Sequence, residues 1–103
     1  MFKQSTVPDI YAEKKKKLME ESAFYFDKAH AIDPEIKEIY DLLGTLLLQL
    51  GKFEEAQTLL EQGVEIFPDS SSIWQNLSFL YAKTGDKKKA EEAFKRSKQL
   101  KEE

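Results

Sequence analysis

YDLLGTLLLQLGKFEEAQTLLEQGVEIFP, residues 40–68, holds two apolar helical stripes parted by a single glycine. Upstream, Ile36 joins the first stripe, so Ile36, Tyr40, Leu43, Leu47 and Leu50 follow one another at steps of four and three. That spacing marks one face of a helix, predicted over Glu35–Leu50. Ile39, Leu42 and Leu46 widen the face, so this helix needs cover on more than one side. Gly51 then ends it, because a left-handed terminal residue is least strained as glycine. A second helix, about Glu54 to Phe67, is expected to bury Ala56, Leu59, Leu60, Gly63 and Ile66.

The same plan returns 34 residues later. At that offset Pro34 falls on Pro68, Ile39 on Ile73, Tyr40 on Trp74, Leu43 on Leu77 and Gly44 on Ser78. Further along, Leu46 meets Leu80, Leu47 meets Tyr81, Gly51 meets Gly85, Ala56 meets Ala90, Leu60 meets Phe94, Gly63 meets Ser97 and Ile66 meets Leu100. Size class is kept at nearly every apolar position, which is the mark of a structural repeat. The second unit is predicted as helices over Ser70–Thr84 and Lys87–Lys101, turning at Gly85-Asp86. Asp69 or Ser70 is suited to cap the first of these. Pro34 and Pro68 are expected at the first helical position, where a missing N–H costs nothing. Gly44, Ala56 and Gly63, and Ser78, Ala90 and Ser97 in the next unit, let paired backbones approach closely. Tyr40, Trp74, Tyr81 and Phe94 are expected to fill the space between units. One helical pair cannot bury its own apolar side, so stacking stabilises the array.

These two units, residues 40–68 and WQNLSFLYAKTGDKKKAEEAFKRSKQL at 74–100, resemble the tetratricopeptide repeat family. Tyr40, Leu43-Gly44, Ala56, Leu60, Gly63 and Pro68 meet the family's aromatic, Leu-small and Ala–aromatic–small positions. Trp74, Leu77-Ser78, Tyr81, Ala90, Phe94 and Ser97 do so again, with Leu47 and Leu60 replacing the usual aromatics. SAFYFDKAHAIDP, residues 22–34, supplies Ser22, Phe26, Ala29 and Pro34 in register as the second helix of a further unit. The resemblance implies an all-α, right-handed helical-hairpin solenoid of about five helices. It would form one domain over 1–103: a long N-terminal helix with a partial repeat (1–34), a repeat (35–68), and a repeat with a terminal capping helix (69–103).

The resemblance also implies a function: a non-catalytic adaptor or scaffold that binds a protein segment on its concave face. The inner-face positions fall on Glu38, Asp41, Leu42, Thr45, Leu48 and Gln49, then on Ser72, Gln75, Asn76, Phe79, Ala82 and Lys83. Phe79 and Leu48 are apolar where solubility alone favours polar residues, and Glu38 and Asp41 flank them. Together they suit a basic peptide or protein with an apolar anchor. The competing expectation is that the N-terminal helix covers part of this face. The family's clamp for chaperone C-terminal carboxylates is not expected, because Asp41 and Thr45 stand where Lys and Asn are needed, although Asn76 matches.

At the front the repeat frame fails. It would put Thr6, Asp9, Ile10 and Glu13 at core positions, so one long helix from about Pro8 to Ala31 is expected, with a short pair turning near Lys16-Lys17 as the alternative. Lys14 to Lys17 covers nearly the whole circumference of a helix and excludes burial there. These lysines are expected on solvated surface. Phe24 is odd, since its counterparts Thr58 and Glu92 are polar. Local packing of the terminal unit explains it, or Phe2 and Val7 folding back, or a second copy of the chain. The last reading makes Phe24 a self-association residue and the chain a homodimer or oligomerisation module. At the other end the lysines of the last helix surround a thin stripe of Ala90, Ala93, Phe94 and Leu100, as a terminal cap requires.

Composition excludes much else. With 41% apolar and 34% charged residues the chain is globular rather than disordered. The net charge of −3 argues against phosphate-driven nucleic-acid binding. Residues 34–67 hold two Lys against seven acids, an acidic segment able to attract a basic partner. There is no Cys, so disulfides and thiolate chemistry are excluded, and a reducing cytoplasm is the expected setting, for the chain itself or as a soluble domain of a larger protein. No signal-peptide or membrane-spanning stretch is visible. His30, the lone histidine, pairs with Asp27 at i, i+3 but finds no third metal ligand, and it is read as a helix-terminal residue. Glu54-Glu55, Glu61 with Glu65, and Glu91-Glu92 are read as solvated surface rather than catalytic pairs. No enzyme, cofactor or metal is expected.

Overall fold

A computed structural model describes residues 6–102. Five helices follow in order: α1 (Thr6–Ile32), α2 (Lys37–Gln49), α3 (Phe53–Ile66), α4 (Ser71–Thr84) and α5 (Lys87–Glu102). No strand occurs among the described residues. α2 with α3 and α4 with α5 are the two helical hairpins, and α2 and α4 lie side by side to join them.

Local chemistry sets the ends. Gly51 and Gly85 turn the chain at φ 78° and 92°, the only positive φ angles among the described residues. Ser70 caps α4, its Oγ accepting the Ile73 N–H at 3.3 Å. Asp86 serves α5 likewise, its Oδ1 accepting the Lys89 N–H at 3.2 Å. The prolines do not open the helices as expected. Pro34 and Pro68 sit in the turns ahead of α2 and α4, whose N-caps are Ile36 and Ser70. Their carbonyls are used instead: Tyr40 Oη donates to the Pro34 carbonyl, and Trp74 Nε1 donates to the Pro68 carbonyl at 2.9 Å. The repeated aromatic therefore ties each hairpin to the turn that precedes it.

Tyr40, Leu60, Ile73, Leu77 and Leu80 are the largest fully buried side chains, and they come from α2, α3 and α4. Burying each stabilises the fold by about 1.5–3 kcal/mol relative to exposure. The small residues do what their size suggested. A Cβ on Gly44 would lie 2.6 Å from Leu60 Cδ2, and one on Gly63 would lie 3.0 Å from Tyr40 Cδ1. In the second hairpin Ser71 Oγ lies 3.0 Å from the Ser97 carbonyl, to which it donates, across the α4–α5 seam.

Four residues expected on the apolar stripes are exposed, Ile36 and Leu42 of the first hairpin among them. Phe94 is 51% exposed while its counterpart Leu60 is fully covered, because α4 packs over Leu60 and no described element packs over Phe94. Ile66, at the last turn of α3, is 37% exposed. Glu61 departs the other way. It is half-buried, and its carboxylate accepts from Tyr81 Oη at 2.6 Å and Gln57 Nε2 at 3.1 Å, linking α3 to α4 rather than facing only solvent.

α1 is one continuous helix, so the alternative of a turn near Lys16-Lys17 does not hold. Its 27 residues span about 40 Å, twice the length of α2. Met19, Ala23, Phe26 and His30 face α2, and α1 packs on no other described helix. His30 Nε2 lies 3.2 Å from Tyr40 Oη with the rings edge to face, fastening α1 to the first hairpin. Lys14–Lys17 are all exposed, on the half of α1 that runs past the end of α2. Phe2 and the Val7 side chain, invoked above as a cover for Phe24, lie outside the described residues.

Candidate protein-binding face

Helical periodicity puts Glu38, Asp41, Leu42, Thr45, Leu48 and Gln49 on one face of α2, and Ser72, Gln75, Asn76, Phe79 and Lys83 on one face of α4. The contact between α2 and α4 turns these two faces into one wall. Its seam is polar. Asn76 Nδ2 donates to Asp41 Oδ1 at 3.0 Å and to Thr45 Oγ1 at 3.2 Å, with the Asp41 carbonyl at 3.4 Å. Thr45 Oγ1 in turn donates to that carbonyl at 2.8 Å. Three of the expected binding residues are thus engaged in holding the two inner helices in register. Sequence spacing put them on the right faces but did not signal that they bond to one another, because their separation of 31–35 residues is bridged only by stacking.

The others divide by exposure. Glu38, Gln49, Ser72, Gln75 and Lys83 are exposed. Leu42 and Phe79 are each 49% exposed, and Lys83 Nζ stands 5.4 Å from the Phe79 ring centroid. Leu48 is not the surface anchor expected of it. At 7% exposure it belongs to the core, so the apolar positions open on this wall are Leu42 and Phe79. α1 approaches the wall only at its rim, where Ala12, Lys15, Lys16 and Met19 lie near Gln49 and Leu50. Phe24 is exposed on α1. It borders a groove floored by Leu43 and Leu47 and flanked by Glu20, Asp27, Lys52 and Glu55, with Lys28 Nζ 4.9 Å from its ring.

Two phenols are perturbed, neither on the wall. Burial raises the pKa of Tyr81, and the hydrogen bond to the Glu61 carboxylate raises it further. Burial raises Tyr40 too, with Glu35 adding to it. Both shifts favour the neutral phenol as a fixed donor. Among the described residues no three His, Cys, Asp or Glu side chains are placed to hold a metal ion, and no helix is long and apolar enough to cross a membrane.

Stacked helical hairpins with a 34-residue period, small residues at the seams and a shared inner wall define a repeat module of the protein-interaction class. The tetratricopeptide repeat profile matches residues 38–103, and the chain belongs to that family. Among solved structures, MamA MSR-1 is similar at a TM-score of 0.76 and 22% identity, with 94% of this chain and 55% of that chain covered. Two crystal forms of MamA AMB-1 give TM-scores of 0.77 and 0.75, each at 22% identity over 84% of this chain, and 47% and 51% of theirs. At this identity the likeness is one of fold, and the chain spans about half the length of those proteins. No curated protein matches by sequence.

Proposed function

We propose that the chain is a non-catalytic adaptor that holds an extended or helical protein segment against the wall formed by α2 and α4. The observation that carries this reading is the pair Leu42 and Phe79, each 49% exposed on an otherwise polar face. Apolar side chains half in water gain from a partner that covers them. Glu38 and Asp41 on the same wall, in a segment carrying seven acids against two Lys, favour a partner with basic residues beside an apolar anchor. A chain without Cys is compatible with a reducing cytoplasm.

The test is fluorescence anisotropy with synthetic basic peptides that differ in one aliphatic or aromatic residue. Phe79→Ala is expected to weaken binding about tenfold or more. Phe94→Ala, equally exposed but off the wall, is the control and is expected to leave it unchanged. The charge arm uses Glu38→Lys, because Asp41→Lys would also break the Asn76 bond between the inner helices. Equal affinity for wild type, Phe79→Ala and Glu38→Lys removes the wall from consideration.

A further inference from the structure

α1 buries one side against α2, and its outer side carries large exposed apolar residues among the charges. Ile10, Tyr11, Leu18, Phe24 and Tyr25 are each 57–75% exposed. They are not scattered. Two adjacent apolar pairs, Ile10-Tyr11 and Phe24-Tyr25, lie fourteen residues apart, and Leu18 stands beside their midpoint. Steps of seven return to nearly the same side of a helix, so Tyr11, Leu18 and Tyr25 form one row and Ile10 and Phe24 a second, about 100° from it, with Phe24 at the edge of the groove beside α2.

Reversed about the point between residues 17 and 18, the two apolar pairs exchange places and the net charge of the halves changes sign. Within α1, residues 6–19 carry four Lys against Asp9 and Glu13, and residues 20–32 carry three acids and one Lys. The two halves of the helix therefore have net charges of +2 and −2. A second copy laid antiparallel sets each basic half against an acidic half, whereas a parallel copy opposes like charges. Charge also picks the register. With the two-fold axis between Lys17 and Leu18, Ile10-Tyr11 of one copy meets Phe24-Tyr25 of the other, and Lys14 meets Glu21 of the second copy twice by symmetry. Slid by one heptad, Glu21 faces Glu21 of the second copy and Lys14 faces Lys28 of it.

We propose that the chain forms an isologous dimer through the outer face of α1, antiparallel and centred between Lys17 and Leu18. A C₂ interface requires a self-complementary patch, and this face meets that requirement in both shape and sign. The dimer leaves the α2–α4 wall open in each copy, so two walls act as one bivalent unit. It deepens the self-association reading of Phe24, which enters the interface as half of a pair rather than alone.

The experiment is sedimentation equilibrium of the full chain over a wide concentration range, with the 12.0 kDa monomer mass expected to double. Lys14→Glu and Glu21→Lys are each expected to raise the dimer dissociation constant about tenfold, and the combined swap to restore it. Because the chain has no native Cys, Leu18→Cys is a clean probe: it is expected to form a disulfide-linked dimer on mild oxidation, and Ile32→Cys is not. Circular dichroism confirms that each variant remains helical, as exposed positions should. A monomer at every concentration overturns the proposal and leaves the face to some other occupant. A dimer in which the charge swap fails to restore affinity, or Leu18→Cys fails to cross-link, overturns it as well. Peptide binding sensitive to Phe79→Ala is a separate result, so either proposal can fail without the other.

Discussion

Gly44→Ala pits two effects of similar size against each other. In the interior of α2, replacing Gly by Ala gains about 1 kcal/mol of helix propensity. Against it, the new Cβ would lie 2.6 Å from Leu60 Cδ2 and 3.2 Å from Leu60 Cγ. Leu60 is fully buried, so its methyls have no solvent to move into. Overpacking of that kind costs about 1–3 kcal/mol, so the net expectation is a loss near 1 kcal/mol. For a domain of this size such a loss lowers the melting temperature by about 4–8 °C. Leu60→Val, which shortens the opposing side chain, costs about 1 kcal/mol alone through the space it leaves. Combined, the two changes fill and vacate the same volume, and the double variant is expected to lie closer to wild type than either independent loss allows, with a coupling near 1 kcal/mol. Urea denaturation followed by circular dichroism on the four proteins measures the cycle. A stabilised Gly44→Ala, or strict additivity, would refute the claim that close approach at this seam is why position 44 is glycine.

Asn76→Ala removes the side chain that bridges α2 and α4 and is expected to cost about 1–3 kcal/mol, seen as a lower urea midpoint. Ser70→Ala loses the α4 cap at about 1 kcal/mol, seen in the same way. Gly85→Ala is expected to cost about 1–2 kcal/mol although nothing lies within 4 Å of the added carbon, since only the φ of 92° is at issue. Tyr81 is held protonated in the fold above its unfolded value of 10.0, so its contribution is complete below that pH and is lost as pH rises through the folded value. Stability is therefore expected to decline in the alkaline range, less steeply in Tyr81→Phe. An unchanged alkaline slope in that variant would mean the Glu61 bond does not hold the phenol neutral.

The repeat could be read from residues alone because stacked hairpins leave a periodic trace. Pro34 with Pro68, Tyr40 with Trp74, and Gly44 with Ser78 each do the same work at a constant offset. Glycine ends helices for a local reason, and Gly51 and Gly85 were legible accordingly. The long α1 followed from the failure of the same period upstream, together with a lysine run that no buried helix tolerates. Which residues share one side of α2 or of α4 was legible too, since that depends only on helical angle.

What each of those positions touches was another matter. Leu48 and Phe79 read alike along the chain, yet one is core and the other half exposed, because burial depends on which neighbouring helix arrives over it. Phe94 read as core for the same reason that Leu60 did, and lacks only the covering helix. The Asn76–Asp41–Thr45 bonds, the Tyr81–Glu61 pair and the proline carbonyls taken up by Tyr40 and Trp74 are likewise set by assembly. By itself the order of residues determined which helices form and which way each side faces, since both follow from interactions within a few residues. Only the packed molecule decided which faces are covered, because coverage is a property of pairs of helices brought together from distant parts of the chain.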